Sequence, residues 1–258
     1  MTEAEYRKSP AVNKSSLWWI RKSPAHYKWF LEHPPADTPA LRLGRAIHAA
    51  ILQPQEYRMH YVTQPDGIDR RTKEGRALYE SFRLEAEGKE ILTAEEHAQV
   101  DSIAGSVMQD EKAAALLAGC KVERSIFWTD SSTGIPCKAR IDAMKPGIVI
   151  DLKTCADAST DAFLLDAIKY GYDVQAAHYL RAVRAVSEEA PLQWYFIAVE
   201  KAPPFAVNVI RAGDAFIDRG TWQLMGLMDK LKACRDADVW PGYGENELIL
   251  PEWDAMPD

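Results

Sequence analysis

Lys138-Ala139-Arg140-Ile141-Asp142-Ala143-Met144-Lys145-Pro146-Gly147-Ile148-Val149-Ile150-Asp151-Leu152-Lys153-Thr154 is the most informative segment of the sequence. It is read as two short strands joined by a Lys-Pro-Gly turn. Asp142 closes the first strand, and the triplet Asp151-Leu152-Lys153 closes the second. Side chains alternate faces along a strand, so Asp151 and Lys153 project to the same side. The hairpin brings Asp142 alongside them. Two carboxylates and an ammonium meeting at one strand end suit a divalent cation and a phosphodiester under attack.

Upstream, Ser15 or Ser16 caps a short helix carrying Leu17-Trp18-Trp19-Ile20, and Ser23-Pro24 starts another through Leu31. Pro34, Pro35 and Pro39 then break the chain. Residues 40–53 are expected to be a helix with an apolar stripe of Leu41, Ala46, Ile47, Ala50 and Ile51, ended by Pro54. Residues 64–90 are the most polar and basic part, with an exposed helix over 74–87. A single helix is expected over 94–118 and a strand over 121–128. Downstream come helices over 159–169 and 173–187, strands over 192–199 and 206–210, and a long helix over 213–236. The expected architecture is α/β: a mixed central β-sheet flanked by helices, with a helical N-terminal portion. Residues 1–258 are read as a single domain. Its mostly helical N-terminal part spans 1–118, its core 119–238 and an extended tail 239–258.

Composition narrows the classes. With 258 residues and 47% hydrophobic residues, the chain can bury a sizeable core. A net charge of −7 argues against coating nucleic acid with the whole surface, yet leaves room for a local basic channel. No apolar run approaches the roughly 18 to 20 residues that span a bilayer. Met1-Thr2-Glu3-Ala4-Glu5 lacks a basic segment followed by an apolar one, so a cytoplasmic location is expected. Cys120, Cys137, Cys155 and Cys234 include no Cys-x-x-Cys pair, which points to reduced, buried thiols.

The order helix, strand, strand, strand with Asp-x-Lys, then helix resembles the core of the PD-(D/E)XK nucleases. Within that fold the chain resembles the RecB/RecE branch, specifically the RecE-type (exodeoxyribonuclease VIII-like) phage and prophage exonucleases. Gly44-Arg45-Ala46-Ile47-His48 looks like the branch's histidine motif, and Gln175-Ala176-Ala177-His178-Tyr179 its Gln-x-x-x-Tyr helix motif. Ser23-Pro24-Ala25-His26-Tyr27 and Arg70-Arg71-Thr72-Lys73 look like the RecE-type N-terminal half. The likeness covers roughly residues 10–235.

The resemblance implies a Mg²⁺-dependent exonuclease, with Mn²⁺ able to substitute, that degrades linear double-stranded DNA from the 5′ end and leaves 3′ single-stranded tails. It also implies a homo-oligomeric ring, with a tetramer favoured, and a RecT-like annealing partner. Asp142, Asp151 and the backbone carbonyl of Leu152 would bind the metal, and Lys153 would position or deprotonate the attacking water. His48 is a candidate metal ligand or phosphate contact, against the alternative of a satisfied core histidine. Glu123 is either a further acid of the site or a solvated strand-edge charge. Gln175 and Tyr179, four apart on one helix face, would hold the strand or the water.

DNA-contact candidates are Arg45, one turn before His48, Lys138 and Arg140, which alternate in register with Asp142, and the run Arg70, Arg71, Lys73 and Arg76. For the lysine and arginines the plain alternative is a solvated surface. Trp18-Trp19 and Trp29-Phe30 are read as packing in preference to stacking on DNA ends. Competing functions are a structure- or single-strand-specific endonuclease, a non-catalytic DNA-binding assembly protein and a metalloenzyme acting on small phosphates.

Overall fold

A computed structural model describes residues 3–65, 67–187 and 192–244. The N-terminal part comprises α1 (Glu3–Lys8), α2 (Lys14–Leu17), a 3-10 turn (Trp18–Arg21), α3 (Pro24–Glu32), α4 (Pro39–Leu52) and α5 (Pro54–His60). It continues with β1 (Tyr61–Thr63), α6 (Lys73–Glu85), β2 (Glu90–Leu92), α7 (Ala94–Gln109) and α8 (Glu111–Leu117). The remainder runs β3 (Lys121–Thr129), β4 (Pro136–Lys145), β5 (Ile148–Cys155), α9 (Thr160–Tyr170), α10 (Tyr172–Val186), β6 (Gln193–Glu200), β7 (Val207–Arg211) and α11 (Asp214–Ala237).

The main sheet has the order β3-β4-β5-β6-β7 and is mixed: β5 and β6 run parallel, and every other neighbouring pair is antiparallel. The α/β expectation holds. Period-two alternation divides the sheet's side chains between two cores. Val149 of β5 and Trp194, Phe196 and Ala198 of β6 pack under α9 and α10. Ile150 and Leu152, with Ile197 and Val199, face Ile47 and Ile51 of α4 and Val100 and Ile103 of α7. A third cluster fastens the N-terminal helices to α10 and α11 through Leu17, Ile20, Tyr27, Val174, Leu224 and Leu231.

Strand β4 departs from this alternation where the site lies. Ala139 and Ile141 belong to the core under α9 and α10, whereas Ala143 lies in the core against α4. The change of face falls at Asp142. There β3 is also irregular: Glu123, opposite Asp142 in the register, has φ +50°. Pairing of β4 with β5 is confined to Ala143↔Ile150, Met144↔Val149 and Lys145↔Ile148, so the strands part beyond the turn.

Several elements differ from the sequence reading. Pro54 ends α4 but also begins α5, because a proline has no amide to lose at the first helical position. The expected single helix over 94–118 is two helices. Asp110 leaves the helical region at ψ 116° and its carboxylate accepts from Ala113 N, ending one helix and capping the next. Helix α1 and the short parallel pair β1–β2 were not anticipated. Most of the tail, and residues 188–191, lie outside the described residues. Among the described residues no helix is long and apolar enough to cross a membrane.

Candidate active site

The parting of β4 from β5 exposes the Leu152 amide, and Asp142 Oδ2 accepts from it at 2.9 Å. The carboxylate thereby replaces a missing ladder acceptor and is held against β5. Asp151 and Lys153, on the same face of β5, form an ion pair. Asp151 is 1% exposed, and its Oδ1 accepts from Gln175 Nε2 of α10 at 2.5 Å. Lys153 Nζ also lies 4.7 Å from the Tyr172 ring centroid.

From the other side, α4 delivers His48, whose Nδ1 is 3.7 Å from Asp142 Oδ2. Glu123 completes the group, and Arg140 Nε donates to its Oε2 at 2.5 Å.

The electrostatics follow from crowding acids away from water. Burial raises the Asp142 carboxyl. Asp151 is pushed up to about 6, chiefly by burial, with Lys153 opposing and Asp142 adding to the rise. Burial and then Asp142 raise Glu123. His48 is lowered by burial and by Lys153, so its imidazole is neutral near pH 7 and free to act as a ligand. For Lys153 burial works against the charge, but Asp151 and Asp142 outweigh it and keep the ammonium protonated.

Three carboxylates with raised affinity for a proton form a place where added positive charge is favourable. Ligand atoms of His48, Glu123 and Asp142 lie within 4.8 Å of one another. Oxygen donors with one imidazole fit a divalent metal of the Mg²⁺ or Mn²⁺ kind. A cleft of about 480 Å³ opens beside them, walled by Gly44, Arg45 and His48 of α4 and by Glu123, Arg140 and Asp142.

The other expected residues divide. Tyr179, one turn beyond Gln175, packs edge-on against Trp194 at 5.9 Å. Its hydroxyl lies in the field of Tyr6, Asp142, Asp151 and Glu123 and is raised well above its usual value, first by burial. Arg45 borders the cleft but is held by a two-pronged bond to Asp37 at 2.7 and 2.6 Å. Arg140 borders it too, bound to Glu123 and, at 3.3 Å, to Ser125 Oγ.

Lys138 is a correction. It is 4% exposed, and its ammonium donates to the carbonyls of Tyr6 at 2.8 Å and Ser9 at 2.7 Å, tying down the end of α1. It is a structural tether with no surface to offer a phosphate.

Arg70, Arg71, Lys73 and Arg76 are exposed at the start of α6 and do not border the cleft; Arg71 is paired with Asp69 and Arg70 lies over Tyr79. Trp19 stacks on Phe30, and Trp29 on His33. Tyr172 was missed. Its signal was the left-handed Gly171 beside it, which ends α9 and begins α10.

Fold and site geometry together define the PD-(D/E)XK class. Residues 14–249 match the family described as "PDDEXK-like domain of unknown function (DUF3799)", and the chain belongs to that family. Among solved structures it resembles a candidate exonuclease from Eubacterium rectale, with 15% identity, TM-score 0.62 and coverage of 99% of this chain and 98% of that one. That likeness shows a shared fold. A phage related exonuclease from Haemophilus somnus 129PT aligns with 14% identity over 92% of this chain and 100% of its own, at TM-score 0.35. No curated protein sequence matches.

Proposed function

We propose that the chain is a divalent-metal-dependent nuclease, and specifically a RecE-type exonuclease acting on linear double-stranded DNA. The observation that supports this best is the convergence of Asp142, Asp151 and Lys153 where β4 and β5 part, with His48 on one side and Gln175 on the other. The family's PDDEXK-like description agrees with it.

His48, Glu123, Asp142, Asp151 and the Leu152 carbonyl would hold the metal, Mg²⁺ being the natural choice for this donor set. When bound, the metal supplies Lewis acidity and a water of lowered pKa. Gln175 fixes the Asp151 carboxylate so that one oxygen stays turned to Lys153. Lys153, protonated, orients the attacking water and offsets charge building on the phosphate. Tyr179 stays neutral and is available as a hydrogen-bond donor. Arg45 and Arg140, at the rim of the cleft, are placed to meet a neighbouring phosphate once released from Asp37 and Glu123.

In this reading residues 1–258 act as one domain, the helical 1–118 shaping access to a 119–238 core. Digestion runs 5′ to 3′ and leaves 3′ tails for a RecT-like annealing protein, and a ring, tetrameric by preference, retains the DNA. The test is digestion of end-labelled linear duplex against covalently closed circles, with Mg²⁺ or EDTA, by wild type and Asp151→Ala. Label should be lost from linear duplex only, with metal, and only by wild type. Equal attack on circles would overturn the exonuclease assignment, and full activity of Asp151→Ala would overturn the site.

A further inference from the structure

Most cations proposed to meet DNA have already committed their charge. Arg45 is bound to Asp37, Arg71 to Asp69 and Arg140 to Glu123, while Lys138 is buried among backbone carbonyls. Among the described residues, Lys14 and Arg21 form no ion pair, and they stand in line with the catalytic lysine. Lys153 lies 4.7 Å from the centroid of Tyr172. Lys14 Nζ lies 6.0 Å from the same centroid and 4.8 Å from that of Trp18. Arg21 lies 4.5 Å from the Trp18 ring. Cation, ring, cation, ring, cation therefore follow one another from the scissile centre to the surface.

The rings act as spacers. Each gives the cations an apolar and quadrupolar surface to lie on, which holds Lys14 and Arg21 extended with no ion pair among the described residues, whereas Lys153 at the inner end is paired with Asp151. Trp18 is fixed in turn by Gly171: a Cβ there would come within 2.5 Å of the indole. Lys14 spends one proton on the Tyr170 carbonyl at the end of α9, at 2.5 Å, and an ammonium has two more. Its field joins that of the site, being felt by Lys153 and Asp151. Burial and then Lys153 draw its pKa down to about 8, so an anion between the two ammoniums would relieve a standing repulsion.

We propose that Arg21, Lys14 and Lys153, spaced by Trp18 and Tyr172, form a track that binds successive phosphates of one nucleic-acid strand next to the scissile bond. A charged track with interleaved rings is what sequence-independent grip on a single strand calls for. Both rings are already occupied by cations, so the track grips the backbone and leaves the bases unread.

This inference rests on the nuclease reading, and the experiment separates the two. Binding of a labelled single-stranded oligonucleotide is followed by fluorescence anisotropy across a salt series, in EDTA to prevent cleavage, for wild type, Arg21→Ala, Lys14→Gln and Lys14→Arg. Each loss of a phosphate contact should weaken binding several-fold at low salt. It should also flatten the plot of log affinity against log salt by about 0.7, as expected for single strands. Lys14→Arg should restore both. If Lys14 serves only to cap α9, Lys14→Gln would lower the melting temperature and leave the slope unchanged, and the track is overturned. Arg21 is exposed, so an unchanged slope for Arg21→Ala at an unchanged melting temperature is equally decisive. If wild type does not bind the oligonucleotide, or binds it with slopes that ignore these substitutions, the track falls; the nuclease reading falls separately, on the digestion of linear duplex described above.

Discussion

Two buried aspartates flank the start of α10, and they are used in opposite ways. Asp151 and Asp173 are 1% and 0% exposed, and each has a single cation against it, Lys153 and Arg219. Around Asp173 everything serves packing. Gly220 of α11 lies so close that a Cβ would meet the Asp173 carbonyl oxygen at 2.1 Å, and Arg219 reaches its carboxylate from the same helix, with the Gln223 amide oxygen accepting from the guanidinium. That pair fastens α10 to α11. Asp151 instead has Asp142 beside it, whose charge raises the proton affinity of both Asp151 and Glu123, and Asp142 and Glu123 line a cleft. A buried ion pair is weak grounds for a stability claim. What separates the two is whether the surroundings leave charge unbalanced, and only the group at the β4–β5 parting does.

Substitutions at the two pairs should have opposite consequences. Asp151→Ala should reduce metal-dependent cleavage by on the order of a thousandfold or more, about 4 kcal/mol of barrier, with the circular dichroism of the fold retained. Arg219→Ala should do the reverse. It leaves the Asp173 carboxylate buried and unpaired, costing about 3 kcal/mol in urea unfolding, with specific activity of the folded protein unchanged. A loss of activity there at full folding would erase the distinction between the two pairs.

A third test uses His178, farther along α10, whose Nε2 donates to the Lys138 carbonyl at 3.2 Å. Burial lowers its pKa from 6.5 to about 4. Between those values the unfolded chain binds the proton and the folded chain does not. Its contribution is therefore intact above about pH 6.5 and is lost as pH falls toward 4. Relative to His178→Gln, wild type should lose about 2 kcal/mol between pH 7 and pH 5, read from paired urea titrations. The smallest effect is a gain: Asp142→Asn removes one crowded charge while keeping an oxygen for Leu152 N. It should raise stability in EDTA by about 1 kcal/mol and show none of the stabilisation by Mg²⁺ that the proposed metal site predicts for wild type.

The β4–β5 hairpin was legible because its signals, alternation and a Pro-Gly turn, are local; Asp142 and Asp151, expected to close their strands, lie within Pro136–Lys145 and Ile148–Cys155, because each strand pairs on past its acid with the other neighbour. Gln175 and Tyr179 share a face by helical spacing alone, and both lie on the site side of α10. What escaped was decided at a distance. Lys138 alternates correctly with Asp142, yet the carbonyls of Tyr6 and Ser9, in and just after α1, capture its ammonium. Arg45 and Arg140 sit where spacing puts them, but Asp37 and Glu123 hold their charge. Asp110 breaks a run of good helix formers because a capping carboxylate outweighs weak propensities. Nothing in the sequence around Lys14 points to Tyr172 or Lys153, which reach it only through the fold.

The hydrogen bond from Leu152 N to Asp142 makes the backbone itself a gauge of the site. That amide has a carboxylate, not a strand carbonyl, as its acceptor, so its strength varies with whatever else the carboxylate binds. Protonation or a metal ion drawing on Asp142 weakens the acceptor, and the Leu152 amide should then exchange its hydrogen for deuterium faster than the amides paired to β6 nearby. Occupancy of the centre is thus recorded at a single backbone position, one that can be read with no DNA present and no bond cut.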